Sequence, residues 1–506
     1  MLVWWRRCAL AAAMLTCVAA PSLAQIPPGA LRDLLGANKP DLLMQYLGTA
    51  SNAGGSDAAR EVTIAMARKA IADAKDAGIG FFRIMGAGYG PVAPPPVGAP
   101  SQNDLALWQS DAALYWSRLD QMFDDLDDAG LRLVPSFVWN PLQFPALTGE
   151  STADLIANPD SRSRALLFRY LGEFIHRYSA RPTILFYEFG NELNLDADLD
   201  IHGRCLAVSP ADACTPYGNY TSAQLTVFAR AVAQRIRALD PTRPISSGYS
   251  LPRASAWHLA AQPEFSPNGP DWTADSLAQF RSVLIGMDKP FDLWSVHIYP
   301  GDVRWGNPAG SESRTLAAAA NTARAHGRRL YLGEFGDSTL SPYLRSMLRG
   351  LAGGATSYAS AWVWEFYQTA TWLSSDLTSA PPESLEPGFT DAIDGALAEA
   401  AGGYGPLQVA QVRVVLTAPL PCAVLTGPTE LYATASTSRG TGVKRVVFAV
   451  DGVAVGVARA VPYHVTYTPT VPGLHRITAT AYDGTLAAQM RVTVLVGPTK
   501  AQCAVP

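Results

Sequence analysis

The chain is short of charge, of lysine and of cysteine. Only 16% of its 506 residues are charged, and the basic ones are nearly all arginine. Lysine stands only at Lys39, Lys69, Lys75, Lys289, Lys444 and Lys500. The formal net charge is −4 at pH 7. That mild acidity gives no basic surplus of the kind that holds nucleic acid or an anionic membrane, so neither is expected as a partner. There is no Cys-x-x-Cys and no Cys/His spacing of a zinc site. No glycine-rich phosphate loop follows the first strand, so no nucleotide cofactor is expected, and no metal. Internal repeats and low-complexity tracts are also missing.

The N-terminus reads as an export signal. Arg6 and Arg7 are its positive region, Cys8 to Ala20 its apolar run, and Ser22-Leu-Ala24 a small-residue cleavage site. Residues 1–24 are therefore assigned to a signal peptide, and the mature chain to the periplasm or the exterior. Its removal takes two arginines and moves the net charge from −4 to −6. The apolar run is well short of the ~20 residues that span a bilayer, which weighs against the other reading, a membrane anchor. Four cysteines remain. Cys205 and Cys214 are close together in a proline-bearing loop, while Cys422 and Cys503 bracket the C-terminal segment. In an exported chain the even count points to two disulfides with that local pairing; free thiols are the alternative.

Hydrophobic residues make up 48%, enough for a large core. Residues 25–40 form a lead-in. Strands are expected at 42–49, 81–85, 131–139, 183–189, 244–248, 291–298, 329–333 and 357–364. Helical spacing marks 58–77, 112–129, 161–179, 222–239, 275–286, 314–326, 340–351 and 391–401. Long loops are expected at 86–104, 194–220 and 250–273. Eight strands alternating with helices give an α/β chain folded as one (β/α)8 TIM barrel over 25–404. A doubly wound open sheet is the runner-up. After 404 the texture changes to short alternating Val/Thr/Tyr runs at 412–416, 430–435, 445–450, 464–468, 475–481 and 489–496. These read as a small all-β sandwich over 408–500, and within it Val447-Phe-Ala-Val-Asp-Gly452 and Thr478-Ala-Thr-Ala-Tyr-Asp483 resemble bacterial immunoglobulin-like modules. The last tryptophan of the chain is Trp372, so this segment has no indole platform for a sugar and is read as a spacer or stabiliser.

The chemistry concentrates at two strand ends. Leu185-Phe-Tyr-Glu-Phe-Gly-Asn-Glu192 is an apolar run closed by Gly190, Asn191 and Glu192, and Leu330-Tyr-Leu-Gly-Glu334 repeats the arrangement. Barrel enzymes keep their sites at the C-terminal ends of the strands. Two acids delivered there can act as a pair: one protonates a departing glycosidic oxygen and the other traps the oxocarbenium-like centre, provided the carboxyl groups sit ~5–5.5 Å apart. Bland readings exist for each. Glu192 could cap the next helix, Glu334 could pair with Arg328 or Arg329, and Glu188 and Glu365 are rival acids better suited to pairing an arginine. The acidic run 124–128 reads as a solvated helix face. Trp108, Trp116, Trp257, Trp272, Trp305 and Trp372 are possible cleft walls, at least half of them core.

These residues resemble those of the retaining (β/α)8 glycosidases, and most of all the cellulase family, glycoside hydrolase family 5. The resemblance covers about residues 40–400. It implies that Asn191-Glu192 ends strand four with Glu192 as acid/base, and that Glu334 is the nucleophile on strand seven. It further implies that Arg83 on strand two contacts the nucleophile, that His297 and Tyr299 form the strand-six pair, and that Trp364 floors the sugar subsite. Trp139 and Asn140 stand where family members often carry histidine, and Leu193 where proline often follows Asn-Glu, so the subfamily stays open. The expected activity is hydrolysis of a β-glucan or β-mannan by a monomeric, cofactor-free enzyme. The alternatives are an exo-acting β-glycosidase and an inactive sugar-binding or adhesion protein.

Overall fold

The structure is a computed structural model that describes residues 33–49, 57–76, 78–89, 103–302, 304–305, 312–336, 342–362, 412–419, 423–437, 442–483 and 487–497. The signal segment, the helix expected at 391–401, Glu365, Trp364, Trp372, Cys422 and Cys503 lie outside them.

Eight parallel strands close into a barrel: β1 (Leu35–Asn38), β2 (Phe81–Met85), β3 (Arg132–Val138), β4 (Tyr187–Gly190), β5 (Ile245–Ser246), β6 (Leu293–His297), β7 (Arg329–Phe335) and β8 (Tyr358–Ala361). Closure is made by β1 against β8, with Ala37 beside Ala361. Helices such as Ala112–Ala129, Arg162–Tyr178 and Ser222–Leu239 cover the outside with leucine, isoleucine and aromatic faces. Side chains of a strand alternate between faces, so every second residue of each strand enters the barrel. At the N-terminal end these are Phe81, Val134, Phe186, Leu293 and Tyr331, with Tyr358 against them. Phe81 lies 6.5 Å from Tyr331, a ring contact between non-adjacent strands that has to cross the interior. One step along, the inward residues include Ser136, Ser246, Ser295 and Ser360, all fully buried. Their small volume leaves room for two large charged side chains, Arg83 and Glu188, at the same level.

Two expectations fail at the start of the barrel. The stretch expected as the first strand contains a helix, Leu42–Leu47, closed by Gly48 at φ 80°, while the strand itself lies in the supposed lead-in. Leu42–Leu47 is buried all round and apolar except at Gln45, and a run that short has no period to separate helix from strand. The third large loop also contains more order than expected, including the helix Ala256–Ala261. Three short helices, Ala106–Ser110, Gln143–Thr148 and Thr152–Ala157, were not read from the sequence.

Residues 412–497 form an all-β unit. One sheet has the order β10-β16-β15-β12-β13 and the other β14-β11-β9, using β9 (Val412–Ala418), β10 (Val424–Leu425), β11 (Thr429–Thr437), β12 (Arg445–Val450), β13 (Val453–Ala458), β14 (Tyr463–Tyr467), β15 (Gly473–Tyr482) and β16 (Ala487–Val496). Both sheets contribute to one core that includes Leu431, Phe448, Ile477 and Val494. The six expected strands are present, and β10 and β13 are additional. The turn into β13 is Asp451-Gly452, both residues at positive φ, a strong hairpin signal.

One buried acid sets a pH dependence. Asp288 ends the helix Leu277–Asp288 and is fully buried. Its Oδ1 accepts from the Ser247 hydroxyl and from the Ser295 amide, and Oδ2 has no partner. Burial pushes its carboxyl up to about 7, against the pull of those two donors. An acid whose folded pKa is raised contributes stability below its ordinary value, and that contribution is lost as pH rises through about 7. Asp288→Asn should therefore gain thermal stability relative to the wild type between pH 5 and pH 8, read by circular dichroism melts. A difference that does not change with pH would refute the ionisation.

Candidate active site

At the C-terminal mouth of the barrel the interior turns from serine to a hydrogen-bonded cluster of acids. Arg83 is its centre. The guanidinium is fully buried and every nitrogen is used: Nε donates to Glu188 (2.8 Å), Nη1 to Asn38 (2.9 Å) and to Glu334 Oε1 (2.8 Å), and Nη2 to Asn191 (2.8 Å). The Trp139 ring covers the guanidinium face at 4.4 Å. Burial pulls the Arg83 pKa down, but Glu188 and Glu334 outweigh it, so the net shift is upward.

Glu334 is brought in by an irregularity. Strict alternation on β7 would send Tyr331, Gly333 and Phe335 inward. The register shifts between Val296 and His297 on the β6 side and between Leu332 and Phe335 on the β8 side, so His297 sits beside Glu334 and Gly333 is the extra residue. Such a bulge re-aims the side chain that follows it. It also needs glycine, because a Cβ at 333 would lie 2.6 Å from His297 Nε2. Glu334 is 5% exposed, with Arg83 on Oε1 and the Tyr299 hydroxyl on Oε2 at 2.7 Å.

Glu192 follows β4 in the left-handed region, at φ 52° and ψ 20°, a conformation uncommon outside glycine. Its amide donates to the Gly248 carbonyl (2.9 Å). Its side chain makes no helix cap, so the capping alternative does not describe it. His297 joins the two acids: Nδ1 lies 2.9 Å from Glu192 Oε1 and 3.4 Å from Glu334 Oε1. One oxygen of each carboxylate and one imidazole nitrogen all fall within 4.8 Å of one another. That trio could close on a cation, but Arg83 already supplies the positive charge at 2.8 Å from Glu334.

The two acids titrate differently. Burial pushes Glu334 above the usual carboxylate range; His297 and Arg83 pull the other way, and Glu192 adds to the rise. Burial also pushes Glu192 up, but the hydrogen bond and charge of His297 outweigh it and Glu192 lies below its ordinary value. Glu192 is the more open of the two, its side chain 30% exposed. It borders a pocket of about 380 Å³ that Trp139, Asn140 and Asn191 also line.

Most sequence-derived site residues thus meet at one place. Arg83, Asn191, Glu192, His297, Tyr299 and Glu334 share one hydrogen-bonded cluster, with Trp139 against it. Asn140 stands at the pocket edge, where its side chain donates to the Tyr89 carbonyl (2.6 Å). Glu188 is an arginine partner, as its rival reading had it. Glu334 pairs with Arg83, while Arg328 faces Asp292 at 3.6 Å. Cys205 and Cys214 form a disulfide. Trp108 and Trp116 are core and wall no cleft; Trp257 and Trp272 are about half exposed. The acidic run 124–128 is more than a solvated face, since Asp124 and Asp127 pair with Arg181 and Asp125 with Arg68. Asn38 and Trp362 were missed. Asn38 lay in the supposed lead-in. Trp362 is stacked on Trp139 at 6.5 Å and stands two positions before Trp364 in the sequence.

With this geometry in view, the comparisons with known proteins can be placed. Residues 413–479 match the bacterial Ig domain family. No curated protein matches the chain by sequence. Among solved structures, the chain is similar to the endo-β-1,4-mannanase from Thermotoga petrophila, with 15% identity and a TM-score of 0.42 over 92% of this chain and 98% of that one. It is also similar to the endo-1,4-β-mannanase from Rhizomucor miehei, with 13% identity and a TM-score of 0.45 over 73% and 94%. A β-glucuronidase from Bacteroides uniformis has 13% identity and a TM-score of 0.36 over 86% and 44%. The barrel itself is defined by its own strand pairing.

Removing the guanidinium would strand two buried carboxylates. Arg83→Met should cost roughly 3–5 kcal/mol at pH 7. The loss should shrink at pH 4.5, where a protonated Glu334 tolerates burial, and adding Glu188→Gln should recover part of it. Urea unfolding at both pH values measures this. Equal losses at the two would mean lost packing instead of stranded charge.

Proposed function

We propose that the chain is an exported retaining glycoside hydrolase acting on β-glycosidic bonds, with Glu192 as acid/base and Glu334 as nucleophile. The observation that carries this reading is the pair of carboxylates, from the ends of β4 and β7, with one oxygen of each within 4.8 Å of the other and Glu192 lining the pocket beside them. A retaining pair needs ~5–5.5 Å between its carboxyl groups, whereas an inverting pair needs ~6.5–9.5 Å to admit a water. The β-glucan or β-mannan class follows from the sequence resemblance. Export is supported by the N-terminal signal pattern and by the Cys205–Cys214 disulfide.

The roles follow from the donors. Glu334 receives Arg83 and Tyr299, both of which favour its charged form. It attacks the anomeric carbon while Glu192 gives its proton to the departing oxygen, which leaves a glycosyl ester on Glu334. Glu192, now a base, takes a proton from the incoming water; the water oxygen attacks the anomeric carbon and frees Glu334. In the empty site Glu192 lies low and Glu334 high. A sugar covering the mouth strips water mainly from the more exposed Glu192 and raises it towards a proton donor. Esterification then removes the charge of Glu334 and lowers Glu192 again, as the second step needs. An inactive barrel would have no use for a buried acid pair held by this many donors.

Glu334→Gln should lower kcat by at least ~10³-fold with the fold intact. Glu192→Ala should spare substrates with good leaving groups and accept azide to give a β-configured azide. Both are read on a panel of β-glucans, β-mannans and their nitrophenyl glycosides, with proton NMR of the first-formed anomer. Inversion, or an active Glu334→Gln, sinks the assignment. Tyr299→Phe removes a donor to ionised Glu334, so the acid limb of kcat/KM should move to higher pH.

A further inference from the structure

The pocket beside Glu192 contains a group that the two-step reaction does not use. It lies on one side of the acid pair: Glu192 lines it and Glu334 does not. The proton donor faces the leaving group, so this is the side on which a leaving sugar would sit. At about 380 Å³ it falls within the ~300–1,000 Å³ usual for small-molecule sites.

One wall is the segment between β4 and the helix Ser222–Leu239, which contributes Asp196, Ile201, Tyr217 and Tyr220. That wall is held in place before any ligand arrives. The Cys205–Cys214 disulfide ties its two short helices, Ile201–Leu206 and Ala211–Cys214. Asp200 accepts from the Gly203 amide (2.9 Å) and from Asn219 (2.7 Å), and His202 Nδ1 sits 2.9 Å from the Tyr217 carbonyl. The Tyr220 hydroxyl donates to the Leu193 carbonyl (3.0 Å).

Within this fixed wall the Asp196 carboxylate, half-buried, has no hydrogen-bonding side chain or amide among the described residues. Burial raises its pKa, with Glu192 adding to the rise and Arg253 and Arg204 opposing it. Arg253 does not bond it; that guanidinium donates to the Leu195 carbonyl at 2.8 Å. Among the described residues no lysine or arginine lines the pocket. A partly dehydrated carboxylate without protein donors has to take them from water or a ligand. A neutral sugar offers two neighbouring hydroxyls to its two oxygens, and Trp139 and Tyr217 line the same pocket. An anionic sugar would bring like charge to a site that already holds two acids.

We propose that this pocket binds the leaving-group sugar and that Asp196 is its specificity residue, accepting paired hydroxyls of a neutral sugar and excluding a uronic acid. The inference rests on the hydrolase reading above and deepens it. A residue that binds the leaving sugar matters only when the leaving group carries hydroxyls, whereas one that merely tunes Glu192 affects every substrate and shifts the pH profile.

The test compares wild type, Asp196→Ala and Asp196→Asn on three substrates: the neutral tetrasaccharide the wild type cleaves best, an oligosaccharide with a hexuronic acid in the leaving position, and the matching 4-nitrophenyl glycoside. For Asp196→Ala the fall in kcat/KM on the tetrasaccharide should exceed that on the nitrophenyl glycoside by 10-fold or more, with the pH profile in place. Asp196→Asn, of the same size, should fall less on the tetrasaccharide and narrow the preference for neutral over uronic leaving groups. Parallel losses on all three substrates, or a moved pH profile, overturn the inference and leave the hydrolase reading standing. A folded wild type that cleaves no β-glycoside overturns both.

Discussion

Everything at the mouth of this barrel depends on one guanidinium kept out of water. A buried arginine is tolerated only when its charge and all its N–H groups are satisfied, and Arg83 spends them on Glu188, Glu334, Asn38 and Asn191. The arrangement works in both directions. The acids make the burial of Arg83 possible, and Arg83 fixes where the oxygens of Glu334 point. A planar fork reaches three strands and the residue just past the end of one of them, β4, which a lysine ammonium would not do with the same geometry. The serines of the neighbouring strands matter for the same reason: larger side chains at that level would exclude the guanidinium.

The second constraint is backbone geometry. Glu334 reaches the cluster because β7 carries an extra residue, and Glu192 because it takes a left-handed conformation. Both departures stand next to a glycine contact. Gly333 leaves room for His297, and Gly248, at φ 66°, lies where a Cβ would fall 1.8 Å from the Gly190 carbonyl. Strained or irregular backbone gathers at sites where side-chain direction matters more than local comfort. Between these two irregular points His297 bridges the acids from an ordinary strand position, two residues beyond Ser295 on the same face of β6.

Much of this was legible beforehand. Strands such as 81–85 and 445–450 and the helices 112–129 and 222–239 carry clear periods and appear with the expected bounds. The acid pair, Arg83 and the His297/Tyr299 pair were readable because they stand at strand ends in a recurring order. The first strand was not, because Leu35–Asn38 is four residues long and the helix after it is buried on every face and almost wholly apolar. The bulge on β7 leaves almost no trace in sequence beyond a glycine before the acid. Asn38 could be recognised only once its strand was. Asp196 has no signal of its own; it is one acid among several in a loop, and only the fold shows that no described residue bonds its side chain.

The aromatic layer of Phe81, Phe186, Tyr331 and Tyr358 fills the floor of the barrel. Its rings touch across the axis, and an interior packed in this way is a core and not a pore. On the proposed hydrolase reading, a sugar bound at the rim leaves by the way it came in, and the water of the second step enters by that same opening. Turnover would then be a matter of traffic at a single doorway, and whichever fragment lies nearer the outside would have to clear it before the next solvent molecule could arrive.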